Sequence, residues 1–299
     1  MRALLRHALA LAAGAALLGG CSVGGGPGAE KSPPTGSPTA HTSHSARRPP
    51  AAPAHPWNVH PASVAALGDS ITRGFDACKP LEDCPEVSWA TGSRGSVGSV
   101  ADRVAGAGAS WNLAETGARA ADLPGQARAA AAHRPAMVTI LIGANDACTS
   151  GPDTMTPVAD YRADVARTLA YLHRTLPSTQ VLVASIPDLR RLWSVGRGNV
   201  LGKQVWKLGL CPSMLGDPDS DSASANARRT AVRDRVVAYN AALASVCGQY
   251  ARCRYDGGAV FRYPFGTDEL STWDWFHPNP KGQHELAALL AGVASRPPQ

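Results

Sequence analysis

A serine becomes a useful nucleophile when an imidazole removes its proton. The imidazole does so best when a carboxylate fixes its tautomer and stabilises its charged form. The sequence holds all three groups in the order Ser, Asp, His. The segment Ala66-Leu67-Gly68-Asp69-Ser70-Ile71-Thr72-Arg73-Gly74 puts Ser70 on a glycine turn directly after the apolar run Ser63–Leu67. Near the other end, Asp274-Trp275-Phe276-His277-Pro278-Asn279 sets Asp274 three residues before His277, just ahead of a helix start. Attack on a carbonyl also builds negative charge on its oxygen, and preorganised N–H donors must meet that charge. Two candidate donors lie in the middle of the chain. Gly117 follows the apolar stretch Ser110–Ala114, and Asn145 in Gly143-Ala144-Asn145-Asp146 follows Met137–Ile142. Each sits where a parallel strand would end, and ligands of open α/β sheets bind outside those carboxyl ends.

Each piece alone has an ordinary structural account. Gly-Asp-Ser is a common turn. Asp146 can serve as a helix N-cap, and Asn279-Pro280 is a good cap and first-turn pair. His277 can be a loop histidine. These separate accounts leave the joint order unexplained. Gly68-Asp69-Ser70 after the first strand, Gly117 after the second, Gly143-Ala144-Asn145-Asp146 after the third and Asp274-x-x-His277 before the last helix together resemble the SGNH (GDSL) hydrolase family. The stretches Ser88–Ser93, Glu115–Ala127 and Leu141–Cys148 resemble more narrowly its phospholipase-B-like branch.

The resemblance implies Ser70 as nucleophile, His277 as base and Asp274 as its partner. It implies the Ser70 amide, the Gly117 amide and the Asn145 side chain as oxyanion donors. Asp69 and Asp146 would be structural, holding their loops through hydrogen bonds. The implied fold is a three-layer α/β/α sandwich around a five-stranded parallel sheet, flavodoxin-like, with the site at the carboxyl edge. The expected activity is serine ester hydrolysis of the lipase or esterase type through an acyl-enzyme on Ser70, with no metal or organic cofactor. Two rivals use the same residues. One is a carbohydrate O-deacetylase. The other is a catalytically silent surface protein that binds glycan or lipid, which would have no need of the full set.

These residues need elements to position them. Short apolar runs at Ser63–Leu67, Ser110–Ala114, Met137–Ile142, Gln180–Ile186 and Arg252–Tyr255 read as strands. Helical patterns separate them. One opens at Asp122-Leu123-Pro124 and runs toward His133; another, Pro157–Thr175, carries Val158, Tyr161, Val165, Leu169 and Leu172 at helical spacing. Ser224–Cys247 and Pro280–Ala294 read alike. Strands alternating with helices give an α/β class with a parallel sheet covered on both faces. Leu189–Asp221 breaks the alternation. It holds Trp193, Trp206, Leu208, Leu210 and Met214 among glycines and basic residues. It is either a helical insertion packed on the core or a wall of an acyl site, and Trp273 and Trp275 beside His277 raise the same question.

The chain ends bound location. Arg2 and Arg6 precede an Ala/Leu-rich run up to Gly20, which reads as a signal peptide over 1–20 and is too short to span a bilayer. Leu18-Gly19-Gly20-Cys21 resembles a bacterial lipobox, which implies lipid modification of Cys21 and a membrane anchor; plain secretion is the alternative. Residues 21–59 are rich in Gly, Pro, Ser, Thr, Ala and His, too poor in large apolar side chains to fold, and read as a tether. His41, His44, His55 and His60 then count as spacer residues, and His284 as a surface residue. A single hydrolase domain is expected over 60–299, as a monomer.

Residues 1–59 hold Arg2, Arg6, Lys31, Arg47 and Arg48 against Glu30, a net +4 of the whole chain's +6, leaving +2 for residues 60–299. The basic balance therefore belongs mostly to the leader and tether and gives no reason to expect a nucleic-acid partner. Arg228, Arg229, Arg233 and Arg235 cluster around Asp234 and read as a solvated helix face. The cysteines number 7. Setting Cys21 aside leaves an even set, as disulfides in an exported protein require. Cys78–Cys84 and Cys247–Cys253 each close a short loop, and Cys148–Cys211 follows by elimination.

Overall fold

Val64-Ala65-Ala66-Leu67 is apolar without a polar break, as befits a strand buried on both faces. In the computed structural model, which describes residues 57–106 and 108–297, it forms the centre of β1 (Ser63–Gly68), and all four side chains are buried. Along the chain follow α1 (Ser70–Arg73), α2 (Val100–Ala105), β2 (Ala109–Asn112), α3 (Leu123–His133), β3 (Met137–Leu141), α4 (Ala144–Ala147) and α5 (Val158–Thr175). Then come β4 (Gln180–Val183), α6 (Leu189–Gly196), α7 (Val200–Trp206), α8 (Pro212–Leu215), α9 (Ala223–Cys247), β5 (Cys253–Tyr255), α10 (Ala259–Arg262) and α11 (Pro280–Ala294).

The five strands form one parallel sheet in the order β2-β1-β3-β4-β5. On one face α3, α5 and α9 pack side by side; on the other α2 lies against α11. This is the expected three-layer α/β/α sandwich. Right-handed crossovers explain the two faces: the chain leaves β1 for β2 in one direction, then returns past β1 to β3, β4 and β5 in the other. The order reverses between β1 and β3. The crevice outside their carboxyl ends lies there, and Ser70 and Asn145 follow those two strands.

Expected element edges shift by a few residues. The β2 strand ends at Asn112, although its ladder continues with Leu113 N–H to the Ala66 carbonyl at 2.8 Å and Glu115 N–H to the Gly68 carbonyl at 3.1 Å. Helix α5 buries Tyr161, Val165, Leu169 and Leu172, the stripe its periodicity set. Asn279 caps α11, accepting from the amides of Lys281 and Gly282 at 2.9 and 3.0 Å, with Pro280 in the first turn.

Three readings change. Among the described residues, contacts with the core already include Trp57, ahead of the expected boundary at residue 60. Its indole is buried and donates to the Ala294 carbonyl at 2.7 Å, and Arg254 stacks over it. The arginine cluster is not a solvated face. Arg229 is fully buried over the Trp193 ring, where the carbonyls of Ser220 at 2.8 Å and Asp217 at 2.6 Å accept from its two terminal nitrogens. Arg235 likewise donates to the Thr156 carbonyl at 2.7 Å. His284 is half-buried, with Nδ1 2.9 Å from the Val97 carbonyl. In each case an apolar surface or a loop carbonyl, unseen in local sequence, takes the side chain inward.

The bridges Cys78–Cys84, Cys148–Cys211 and Cys247–Cys253 are all present, with Cα atoms 6.1, 4.3 and 5.3 Å apart. Among the described residues no helix is long and apolar enough to cross a membrane. The signal peptide, Cys21 and most of the tether lie outside the described residues.

Candidate active site

Gly68 has φ +148, and a Cβ there would sit 2.3 Å from the Leu141 carbonyl oxygen and 2.7 Å from Thr72 Oγ1. Only glycine fits, and the chain turns sharply off β1. The Gln126 amide clamps that turn from α3, accepting from Gly68 N–H at 2.8 Å and donating to its carbonyl at 2.9 Å. Asp69 caps α1 by accepting from Ile71 N–H at 3.0 Å. Its second oxygen has no partner among the described residues, and burial pushes its carboxyl up to about 7. Ser70 is the first residue of α1, so its own N–H belongs to the donors that a helix start leaves unpaired.

His277 arrives on a loop pinned from several sides. Ser271 N–H donates to the His277 carbonyl at 2.8 Å, and Asn279 N–H to the Glu269 carbonyl at 3.0 Å, so the loop closes as a small antiparallel bridge. One Asp274 oxygen accepts from the amides of Phe276 and His277, both at 2.9 Å. The other meets His277 Nδ1. His277 Nε2 lies 2.9 Å from Ser70 Oγ. Ser70, Asp274 and His277 are each buried.

Burial pushes the Asp274 carboxyl up, but the imidazole and the two amides outweigh it and hold the group below its ordinary value. Burial pushes His277 down, and Asp274 outweighs it, so the imidazole is more basic than usual. The structure thus brings the three sequence-derived groups into one hydrogen-bonded row.

The candidate donors lie at the same place. Gly117 has φ +86, and no hydrogen-bond partner for its amide is found among the described residues. Asn145 Nδ2 donates to the Ala118 carbonyl at 3.0 Å, which ties the two donor loops together and leaves its second N–H for another acceptor. Asp146 fixes the far side, accepting from Ala120 N–H at 3.0 Å. Ser70, Gly117, Asn145 and His277 line one cavity of about 300 Å³, whose remaining wall includes Ile71, Phe75, Leu210 and Phe276.

Two side-chain groups among the described residues have the spacing to hold a metal ion. Cys78 and Cys84 with Glu86 form one, but their sulfurs are bonded to each other. Asp76, Asp274 and His277 form the other, and there both imidazole nitrogens already face protein partners. Neither donor set suits a resident cation.

The Leu189–Asp221 insertion both packs on the core and walls the cavity. Leu210 and the Cys148–Cys211 bridge line it. Behind, Trp206 Nε1 donates to the Asp274 carbonyl at 2.7 Å, and a Cβ on Gly202 would lie 2.7 Å from the Trp275 ring. Local sequence did not single out Trp206, Gln126 or Gln283 for these roles. Gln283 accepts from Trp89 N–H at 2.9 Å and donates to the Ile71 carbonyl at 2.8 Å, joining α11 to α1. An amide on a helix face that should be apolar was the available signal for both glutamines.

Among solved structures, LAE5, an alpha/beta hydrolase enzyme from the metagenome of Lake Arreo, is similar at 18% identity; the match covers 80% of this chain and 97% of that one, with a TM-score of 0.49. Axe2, an acetylxylan esterase from Geobacillus stearothermophilus, is similar at 18% identity over 78% of this chain and 94% of that one, with a TM-score of 0.47. No curated protein matches the chain. The model of GDSL-like lipases and acylhydrolases matches residues 64–290, from the first strand into the last helix, and the chain belongs to that family of ester hydrolases.

Proposed function

We propose that this protein is an exported serine esterase that works through an acyl-enzyme on Ser70. The single observation that carries the reading is the row Ser70 Oγ, His277 Nε2 at 2.9 Å, His277 Nδ1 and the Asp274 carboxylate. Ser70 Oγ attacks the ester carbonyl as its proton passes to His277 Nε2. The Ser70 and Gly117 amides and the Asn145 side chain meet the oxyanion. The alcohol leaves with the proton from His277, and a water repeats the sequence on the acyl-enzyme. A silent binding protein has no use for a buried imidazole held between a serine and a carboxylate.

The cavity supports acyl groups longer than acetyl. Ile71, Phe75, Leu210 and Phe276 give it an apolar wall, and an acetyl group would leave most of its roughly 300 Å³ unfilled. Each methylene moved from water to such a wall is worth about 0.8 kcal/mol, or up to roughly fourfold in kcat/KM. A series of p-nitrophenyl esters should therefore show kcat/KM rising from acetate through butyrate and hexanoate. A maximum at acetate with a steep fall beyond it would favour the O-deacetylase.

The lipobox-like segment ending at Cys21 and the Pro-rich stretch after it support an outward-facing, lipid-anchored form. Detergent partitioning reads this separately: wild type should enter the detergent phase and Cys21→Ser should not. Recovery of the wild type wholly in the aqueous phase would leave a plain secreted esterase.

A further inference from the structure

One buried acid touches the proposed catalytic row and has no part in the scheme above. Asp76 follows α1 and is 2% exposed. Its backbone has φ +55, a left-handed conformation that aspartate adopts more readily than most residues. The fold holds it there at both backbone groups. Asp76 N–H donates to the Glu82 carbonyl at 3.0 Å, and its carbonyl accepts from Ser271 Oγ, in the histidine loop, at 2.6 Å. One carboxyl oxygen takes the Leu81 amide, inside the loop that Cys78–Cys84 closes. A carboxyl oxygen of Asp76, one of Asp274 and a ring nitrogen of His277 all lie within 4.8 Å of one another.

Two carboxylates in such contact, away from water, cannot both stay ionised without a compensating proton. The charged groups that face Asp76 are Asp274 and His277, both from the histidine loop; Asp69 faces His277 from the β1 turn. The Glu82 side chain is turned to Lys79. We propose that Asp76 is a positioning residue for this site: its carboxyl holds that of Asp274 in place, shares the cluster's last proton with Asp274 and His277, and sets the pH at which His277 becomes a free base. Once that proton has left, Nδ1–H still donates to Asp274, and Nε2 is free to take the Ser70 proton as the Oγ–C bond forms. The proton that then arrives on His277 again offsets the two carboxylates.

Burial first, then the Asp274 charge, push the Asp76 carboxyl up to about 6 against the Leu81 amide, which draws it down. The sign of the pH effect follows. An ionisable Asp76 adds negative charge to the cluster, so the last proton leaves it, and frees His277, at a higher pH than it otherwise would. The protons belong to the cluster as a whole. Asp76→Asn keeps an acceptor for Leu81 and a donor for Asp274 but cannot ionise.

The inference rests on the esterase reading, and the test separates the two. The acid limb of kcat/KM for p-nitrophenyl butyrate is measured in wild type and Asp76→Asn, with Ser70→Ala as the reference. The Asn variant should keep its fold and stay within about tenfold of wild-type kcat, and its acid limb should move to lower pH by roughly one pH unit. The low-field proton resonance of His277 Nδ1–H should shift as well. Asp76→Ala, which leaves both Asp274 and the Leu81 amide short of a partner, should lose roughly tenfold or more in kcat with KM little changed. If the Asn profile and the proton resonance superimpose on wild type while Ser70→Ala is inactive, Asp76 is only a loop residue and the proposal fails. If Ser70→Ala is active, the esterase reading itself fails.

Discussion

Ser70→Ala should lose essentially all ester hydrolysis, a fall in kcat on the order of 10⁶-fold if serine and histidine act as a unit. A second hydroxyl lines the cavity, that of Thr116, but it donates to Asp83, and Ser70 Oγ is the hydroxyl that His277 Nε2 meets. The protein should stay folded. Ser70 Oγ bonds to the imidazole, while the turn itself is held by Gly68, the Gln126 clamp and the Asp69 cap, none of which the substitution touches. Thermal unfolding should therefore change little. A fluorophosphonate should label wild type at Ser70, and the alanine variant should not be labelled. Label at another serine, or turnover in the folded variant, would remove the nucleophile from the proposal.

Asn145→Ala should lower kcat by ~100–1000-fold, because an oxyanion donor acts chiefly once charge has moved onto the carbonyl oxygen. The structure adds a second consequence. Asn145 also holds the Ala118 carbonyl, so its loss loosens the loop that presents the Gly117 amide. Two donors are then affected by one substitution, which places the expected loss toward the upper end of that range. Michaelis constants for butyrate and hexanoate esters should move much less than kcat. A loss confined to KM would make Asn145 a binding residue and would leave the oxyanion to the two backbone amides.

Much of the site is legible in the sequence because its groups are tied to local signals. A nucleophile on a turn needs a glycine with a backbone conformation closed to other residues, and Gly68 marks it within two residues of Ser70. Asp274 and His277 are three apart on one loop, so their pairing is a short-range matter. Strand runs such as Val64–Leu67 and the α5 stripe of Tyr161, Val165, Leu169 and Leu172 carry their burial in their own periodicity. Strand, helix and turn types, and with them the α/β class, follow from such patterns.

Tertiary structure alone decided what depends on partners distant in sequence. Asp76 is 198 positions from Asp274 along the chain, and nothing near it says that a second carboxyl will press against it. Arg229 reads as a solvated cation until the Trp193 ring and the carbonyls of Asp217 and Ser220 close around it. The insertion became both wall and buttress because Trp206 reaches the Asp274 carbonyl and Cys211 reaches Cys148. The physical reason is common to all three. Burying a charge or an N–H is costly until a partner is supplied, and that partner comes from wherever the fold brings one. Local sequence determines which groups can do chemistry; the packed chain determines the field in which they do it.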